Sequence, residues 1–252
     1  MSVHVEHRDG CAVVRMDAGK VNAMDLALCQ DLSAVFTDLP QHGVRAVVLT
    51  GNGRAFCAGV DLRAIVEGGP EHARSFVGAL SDCFESVLRC PLPVVAAVDG
   101  HAIAGGCVLA CAADHRVVAD DPAARMGLTE LAVGVPFPTS AVEIMRWRLG
   151  DALLGHRVLM ADTVPASESV AAWLADETRA ADALLDRALE IARSLAAVPP
   201  ATFALTKAQL QAGVRERIDA RRGQWDPQVA DLWASDPVLT GIEEFVVRTL
   251  RR

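Results

Sequence analysis

Residues 98–112, with the sequence VDGHAIAGGCVLACA, decide how the rest of this chain is organised. They follow an apolar run at 93–98 that is typical of a buried strand, and they turn at Asp99-Gly100 before a helix of small residues opens at Gly105-Gly106. Glycines at a helix start let a ligand approach the backbone, and the first N–H groups there are unpaired at the positive end of the helix dipole. Such donors can stabilise a negative charge developing on an oxygen atom, although a glycine pair also serves close helix packing.

A second glycine-broken segment lies upstream, at residues 50–62, with the sequence TGNGRAFCAGVDL. It follows a β-rich run at 45–49, and Asp61 is a residue type that commonly begins a helix. Two strand exits of this kind can supply two convergent N–H donors. The second segment therefore favours a chemical role for the first.

These two segments resemble the signature segments of the crotonase (enoyl-CoA hydratase/isomerase) superfamily, and supporting resemblance extends along nearly the whole chain. The resemblance implies an α/β fold, a crotonase-like ββα superhelix with a C-terminal α-helical trimerisation region, divided here into residues 1–195 and 196–252. It also implies that the N–H groups of Val60 and Gly105 form the oxyanion hole for an acyl-CoA thioester.

Proton transfer to or from carbon needs a further group, and a carboxylate in an apolar pocket is well suited to it. Hydratases of this superfamily usually carry one Glu on the helix that the second motif opens and another after the next strand. The first position is Val108 here, and the second is Glu130, within RMGLTELAVGVP at 125–136. Apolar neighbours such as Leu128 and Leu131 predict a raised pKa for Glu130. Taken without its motif, Glu130 would be a surface glutamate in a loop.

One carboxylate without the other changes the expected reaction. Moving a double bond from position 3 to position 2 needs a single base, whereas hydration benefits from two groups, so the sequence favours 3-enoyl to 2-enoyl-CoA isomerisation. Hydration of 2-enoyl-CoA stays open, because Glu143 or Asp61 could approach the site in the fold. A hydrolase with Cys107 as nucleophile and a histidine as base, or a non-catalytic acyl-CoA-binding homologue, are further alternatives.

The resemblance implies substrate contacts from three segments: Lys20 and Ala23 beside the CoA adenine, then Ala58, Asp61, Leu62, Arg63, Gly106 and Val108. For Lys20, an ordinary strand-to-helix connection is an equal alternative. Arg63 and Lys207 could meet CoA phosphates or be solvated surface charges. No cofactor is expected, since CoA is part of the substrate, and Cys107 and Cys111 lack metal-ligand spacing.

Composition sets the outer bounds of these hypotheses. The chain has 252 residues, of which 52% are hydrophobic, enough for one large domain or a domain with an appendage. A net charge of −8 argues against a nucleic-acid partner. Seven cysteines without repeated spacing predict reduced thiols. The polar first ten residues and the absence of a long apolar run predict a cytoplasmic protein without a membrane partner.

Hydrophobic periodicity predicts strands in the first half of the chain and only helices from Thr139 onward. The predicted strands cover 3–7, 11–16, 44–50, 93–98 and 114–119, and the predicted helices cover 25–39, 70–89, 141–149, 151–160, 182–197, 201–213 and 239–252. Trp225, Trp233 and Phe245 make the C-terminal part apolar. By resemblance this predicts a homotrimer or a dimer of trimers, and intramolecular packing on the core is the alternative.

Overall fold

A computed structural model of the protein describes residues 2–53 and 55–250. Its strands are β1 (Val3–Arg8), β2 (Cys11–Met16), β3 (Ala46–Thr50), β4 (Ala55–Cys57), β5 (Val94–Val98), β6 (His101–Ile103), β7 (His115–Ala119), β8 (Arg125–Gly127), β9 (Thr163–Pro165) and β10 (Glu177–Arg179). Its α-helices are α1 (Leu26–Asp38), α2 (Leu62–Arg89), α3 (Gly105–Ala112), α4 (Glu130–Val133), α5 (Thr139–Met160), α6 (Leu184–Ala196), α7 (Pro200–Leu210), α8 (Ala212–Trp233) and α9 (Asp236–Leu250).

The strands form two sheets, and from β3 to β8 successive strands alternate between them. The larger sheet has the order β1-β2-β3-β5-β7-β10 and is parallel except for the β1–β2 pair. The smaller sheet has the order β4-β6-β8-β9 and is parallel except for the β8–β9 pair. The successive units β3-β4-α2, β5-β6-α3 and β7-β8-α4 are the turns of a ββα superhelix, as predicted.

The central strands β3 and β5 are buried at every position because both faces of the larger sheet are covered. In β3, Val47 and Leu49 face the main hydrophobic core, whereas Ala46 and Val48 face a second cluster against α6. This alternation follows from the period-two geometry of a strand. A strand buried on both faces has a continuous hydrophobic run, which is why β3 and β5 were predictable from sequence.

Side-chain caps place the helix starts that lead to the functional segments. Asp25 accepts a hydrogen bond from the Leu28 N–H at 2.7 Å, and this cap begins α1 as predicted. Asp61 accepts from the N–H groups of Arg63 and Ala64 and begins α2. Because Gly69 has a φ of 70°, α2 is interrupted just before the predicted helix at 70–89.

The C-terminal helices pack on the rest of their own chain. The Trp233 ring lies 6.0 Å from that of Phe76 on α2. On the same face, Arg222 of α8 forms ion pairs with Asp82 at 2.6 Å and with Glu85 at 2.8 Å. Trp233 is therefore part of an intramolecular core. The boundary at 195/196 falls in the last turn of α6 and stays a prediction.

The prediction that no strand follows Thr139 is wrong. β9 pairs antiparallel with β8, and β10 pairs parallel with β7. Each is a three-residue strand at the edge of its sheet, too short to show a period-two pattern, so only tertiary pairing creates it. Within the described residues, no helix is long and apolar enough to cross a membrane.

Candidate active site

Two glycine loops meet where β4 and β6 end. These strands are parallel neighbours, with Ala55 opposite His101, so both chains leave the sheet at the same edge. A Cβ on Gly59 would lie 3.1 Å from the Ile103 carbonyl oxygen, and a Cβ on Gly106 would overlap the Cys57 carbonyl oxygen. The glycines therefore permit the close approach of the two loops, as the packing explanation requires.

The Val60 N–H is the first candidate donor. Met24 pairs with Val60 in an isolated parallel bridge: the Met24 N–H donates to Gly59 O at 2.7 Å, and the Asp61 N–H donates to Met24 O at 2.9 Å. These bonds fix both residues that flank Val60 and leave its own N–H directed away from Met24. No protein acceptor receives that N–H within residues 2–53 and 55–250.

The Gly105 N–H is the second candidate donor, in the first turn of α3. Ala104, just before it, has a φ of 51° and a ψ of −123°, an unfavourable conformation for a residue with a side chain. The Ala104 N–H donates to Gly127 O at 2.8 Å, and the N–H groups of Cys107 and Val108 both donate to Ala104 O. The N–H of Gly105 has no acceptor in the described part of the chain.

Glu130 is a buried carboxyl group at the start of α4. Glu130 is only 9% exposed, and its Oε2 has no hydrogen-bond partner among the described residues. Burial raises the pKa of Glu130 to about 8, against the lowering effect of the Glu130 and Thr129 backbone N–H groups. The raised pKa agrees with the sequence expectation, although Leu131 itself is 42% exposed. An unpartnered buried oxygen of this kind is available to a ligand.

Neither carboxylate that could have restored a second proton-transfer group is free. Glu143 is bonded by Arg217 at 2.6 Å, by Arg221 at 2.9 Å and by Arg146. Burial raises the pKa of Glu143, but its arginine partners outweigh burial and hold the pKa below its ordinary value. Asp61 is occupied in capping α2. Val108 is fully buried in the main core on α3.

A backbone hydrogen bond joins the two N-terminal segments that carry most of the predicted substrate contacts. The Ala58 N–H donates to Val21 O at 3.0 Å, which joins the loop at 17–24 to the loop after β4. Lys20 and Arg63 are exposed, and Gly106 is buried. The half-buried members of the predicted set are Ala23, Ala58, Asp61 and Leu62. Their contacts with a substrate stay predictions.

Two weaker hypotheses lose their basis. Lys207 is buried, donating to Asp114 at 2.7 Å and to Leu92 O at 3.1 Å, so it cannot reach CoA phosphates. A hydrogen bond with Cys111 and burial raise the pKa of the fully buried Cys107 thiol, which makes it a poor nucleophile. In the described residues, no histidine is hydrogen-bonded to Cys107, and no group of His, Cys, Asp and Glu is arranged to hold a metal ion.

Two polar residues at the site were missed by the sequence analysis. Asp99 accepts from the N–H groups of Gly51 at 3.1 Å and Gly53 at 2.7 Å, so it shapes the first glycine loop. Asn22 is fully buried, and its amide bonds to the backbone of β4. The Asp99-Gly100 pair was interpreted only as a turn. A lone Asn in a polar loop gave no signal at all.

The sequence model of the enoyl-CoA hydratase/isomerase family matches residues 6–248 of this chain. The chain belongs to that family. A crystal structure of an enoyl-CoA hydratase from Mycobacterium marinum is 30% identical, with a TM-score of 0.80, covering 97% of this chain and 99% of that one. An apo enoyl-CoA isomerase from Mycobacterium tuberculosis is 33% identical, with a TM-score of 0.79, covering 89% of this chain and 99% of that one.

The fold is shared with a more distant structure. The human mitochondrial delta3-delta2-enoyl-CoA isomerase has a TM-score of 0.92 at 23% identity, covering 100% of this chain and 99% of that one. The fold of this chain is thus the crotonase fold. The family match makes this chain an enzyme of the hydratase/isomerase type, and an acyl-CoA substrate is consistent with that family. Hydratases and isomerases both stand among the similar proteins, so the choice of reaction depends on the site itself.

Proposed function

We propose that this protein isomerises 3-enoyl-CoA to 2-enoyl-CoA, with Glu130 as its single acid/base. The observation that carries the proposal is the buried Glu130 carboxyl group, whose Oε2 has no hydrogen-bond partner among the described residues and whose pKa burial raises to about 8. Val108 occupies the position at which a second carboxylate would stand on α3. Glu143 and Asp61, the alternatives, are held by other partners.

The proposed reaction moves one proton and one double bond. The Glu130 carboxylate takes a proton from C2 of the 3-enoyl thioester, and the C–H electrons form a dienolate whose negative charge rests on the thioester oxygen. The protonated Glu130 then returns the proton to C4, and the double bond moves from C3–C4 to C2–C3. No water is consumed, and Glu130 ends as it began. A pKa near the working pH suits a group that must both accept and donate.

The N–H groups of Val60 and Gly105 stabilise the dienolate oxygen in this mechanism. Both are directed by neighbouring backbone bonds rather than by substrate, so they need no reorganisation when the charge develops. In other enzymes, loss of one such donor costs about 2.7–4 kcal/mol of transition-state stabilisation.

Turnover of 3-enoyl-CoA and 2-enoyl-CoA, measured side by side, tests this function. We expect isomerisation to be the faster reaction and the Glu130→Gln variant to lose about 10²–10⁴-fold in kcat with nearly unchanged CoA-ester binding. Rapid hydration of 2-enoyl-CoA with little isomerisation would instead make the protein a hydratase. If Glu130→Gln kept the wild-type kcat, Glu130 would not be the acid/base group for isomerisation or for hydration.

A further inference from the structure

Asn22 connects the loop at 17–24 to the strand that leads to Val60. Its Nδ2 donates to Ala55 O at 3.0 Å and to Phe56 O at 3.2 Å, and its Oδ1 accepts from the Ala18 N–H at 2.8 Å. The residue is fully buried, so these bonds are protected from water. One side chain therefore bonds two successive carbonyl groups of β4.

The topology of the smaller sheet explains why β4 needs this partner. Among the described strands, β4 is an edge strand that pairs with β6, and its register with β6 shifts between Ala55 and Cys57. Carbonyl groups on the free edge of a buried strand must find another donor. Asn22 supplies it, and its φ of 48° is in the left-handed region that asparagine tolerates better than most residues.

The loop at 17–24 is also hydrogen-bonded to the residues that follow β4. Directly beyond Asn22, the Met24 backbone bonds to Gly59 and Asp61, the residues on either side of Val60. The loop thus holds the segment both before Val60, through the Asn22 side chain, and around it, through the Met24 backbone. A shift of the loop would move the Val60 N–H away from the charge it stabilises.

We propose that Asn22 is a positioning residue for the oxyanion hole: by clamping the Ala55 and Phe56 carbonyls, it sets the direction of the Val60 N–H. This inference rests on the proposed function. Asn22 acts through the backbone and touches neither substrate nor the reacting atoms. It should therefore affect the stabilisation of the enolate oxygen much more than the binding of the CoA ester.

Asn22→Asp is the sharpest test, because it keeps the size of the side chain and the acceptor for Ala18 but removes the two donated bonds. Gln228→Glu is the matched control: it makes the same change from amide to carboxylate at an exposed residue of α8, where Gln228 Nε2 donates to Gln224 O at 2.9 Å. The readouts are kcat and KM for isomerisation, and the near-ultraviolet absorbance of the enolate formed from acetoacetyl-CoA on the enzyme. Asn22→Gly, which also suits a positive φ, serves as a second variant if Asn22→Asp does not fold.

We expect the Asn22 variants to lose about 10–100-fold in kcat, the scale of a misplaced catalytic group, with KM within about twofold and a weaker enolate band. Gln228→Glu should match the wild type in all three. A folded Asn22 variant with wild-type kcat and enolate band, or one in which only KM rises, would overturn the inference while leaving the proposed function standing. A wild-type enzyme that neither isomerises nor forms the enolate would overturn both.

Discussion

Glu130 places opposite demands on activity and stability at the scale of a single residue. Its pKa of about 8 lies well above the ordinary 4.5 because the carboxylate is buried without an ionic partner. An ionised carboxylate in that environment costs free energy that its backbone hydrogen bonds do not offset. The same burial gives the group a pKa suited to proton exchange near neutral pH, so part of the protein's stability is given up for chemistry.

The pH dependence of activity should follow Glu130. The reaction begins with the carboxylate form, so kcat/KM for isomerisation is expected to rise with pH through an apparent pKa of about 8. A pH–rate profile with the same substrate at constant ionic strength measures it. A profile that stays flat across this range, or that rises only near the ordinary value of a glutamate, would contradict the raised pKa.

Stability should change with pH in the opposite direction. Folded Glu130 keeps its proton between about pH 4.5 and 8, while the unfolded chain has lost it, so the wild type loses stability as pH rises through this window. Glu130→Gln lacks this effect. Relative to the wild type, its free energy of unfolding should increase by about 2–3 kcal/mol between about pH 6 and pH 9, at 1.4 kcal/mol per unit. Urea denaturation of both proteins at the two pH values tests this, and parallel curves would contradict it.

Val108 tests whether the missing carboxylate limits hydration. It lies three residues beyond Gly105, nearly one turn along α3, and is fully buried. Val108→Glu should raise the ratio of hydratase to isomerase activity, with lower stability because a new carboxylate is buried. Val108→Gln is the matched control, since a glutamine side chain has nearly the same shape as a glutamate and cannot exchange a proton. Equal ratios in the two folded variants would show that position 108 does not line the site.

At the scale of secondary-structure elements, the main feature is the close backbone contact between β4 and α3. β4 and α3 approach so closely that a single methyl group on Gly106 would overlap the Cys57 carbonyl oxygen. The contact is between backbones, which cannot move aside as a flexible side chain would. The distance between the two candidate donors therefore depends on the absence of a side chain at this position.

Gly106→Ala should cost about 1–3 kcal/mol of stability and lower kcat, because it forces α3 away from β4. Gly155→Ala is the control: it lies within α5, where an added Cβ meets nothing within 4 Å, and should be neutral or stabilise by about 0.4–1 kcal/mol. Thermal unfolding and isomerase assays on both variants give the comparison. Equal effects at the two positions would contradict the close approach of β4 and α3.

At the scale of the whole molecule, the C-terminal helices both complete the core and expose apolar surface. Trp233 is buried against Phe76, and its Nε1 donates to Pro136 O at 3.0 Å. Other large apolar side chains on these helices are exposed: Leu205, Leu210, Trp225, Leu232 and Val247. Of the three aromatic residues expected to serve assembly, Trp225 is the one whose side chain is largely available, at 49% exposure.

This exposed surface keeps the prediction of a trimer or hexamer in place. Light scattering at micromolar concentration should give a mass of three or six times the single-chain 26.7 kDa. Introducing charge with Leu205→Glu and Leu210→Glu together, at positions 63% and 71% exposed, should lower that mass without unfolding the chain. A wild-type mass near that of a single chain would reject the assembly.

The sequence by itself indicated repeated strand–loop–helix units, and its resemblance to the crotonase superfamily supplied the ββα superhelix and the candidate site positions. Continuous apolar runs marked β3 and β5 because both faces of those strands are covered, and the two glycine segments marked the loops because backbone must meet backbone there. Glu130 was recognisable from its motif. These are local properties, recorded in residue type and spacing within about a dozen positions.

Only the tertiary structure decided which polar groups are free and which are occupied. Glu143, Asp61 and Lys207 were open candidates in the sequence, and each is held by a partner, which for Glu143 and Lys207 lies more than 70 positions away. Asn22 gave no signal because its role is to satisfy the free edge of a strand more than 30 positions further on. Pairing of this kind is fixed by the approach of distant segments, and so no local pattern of residues contains it.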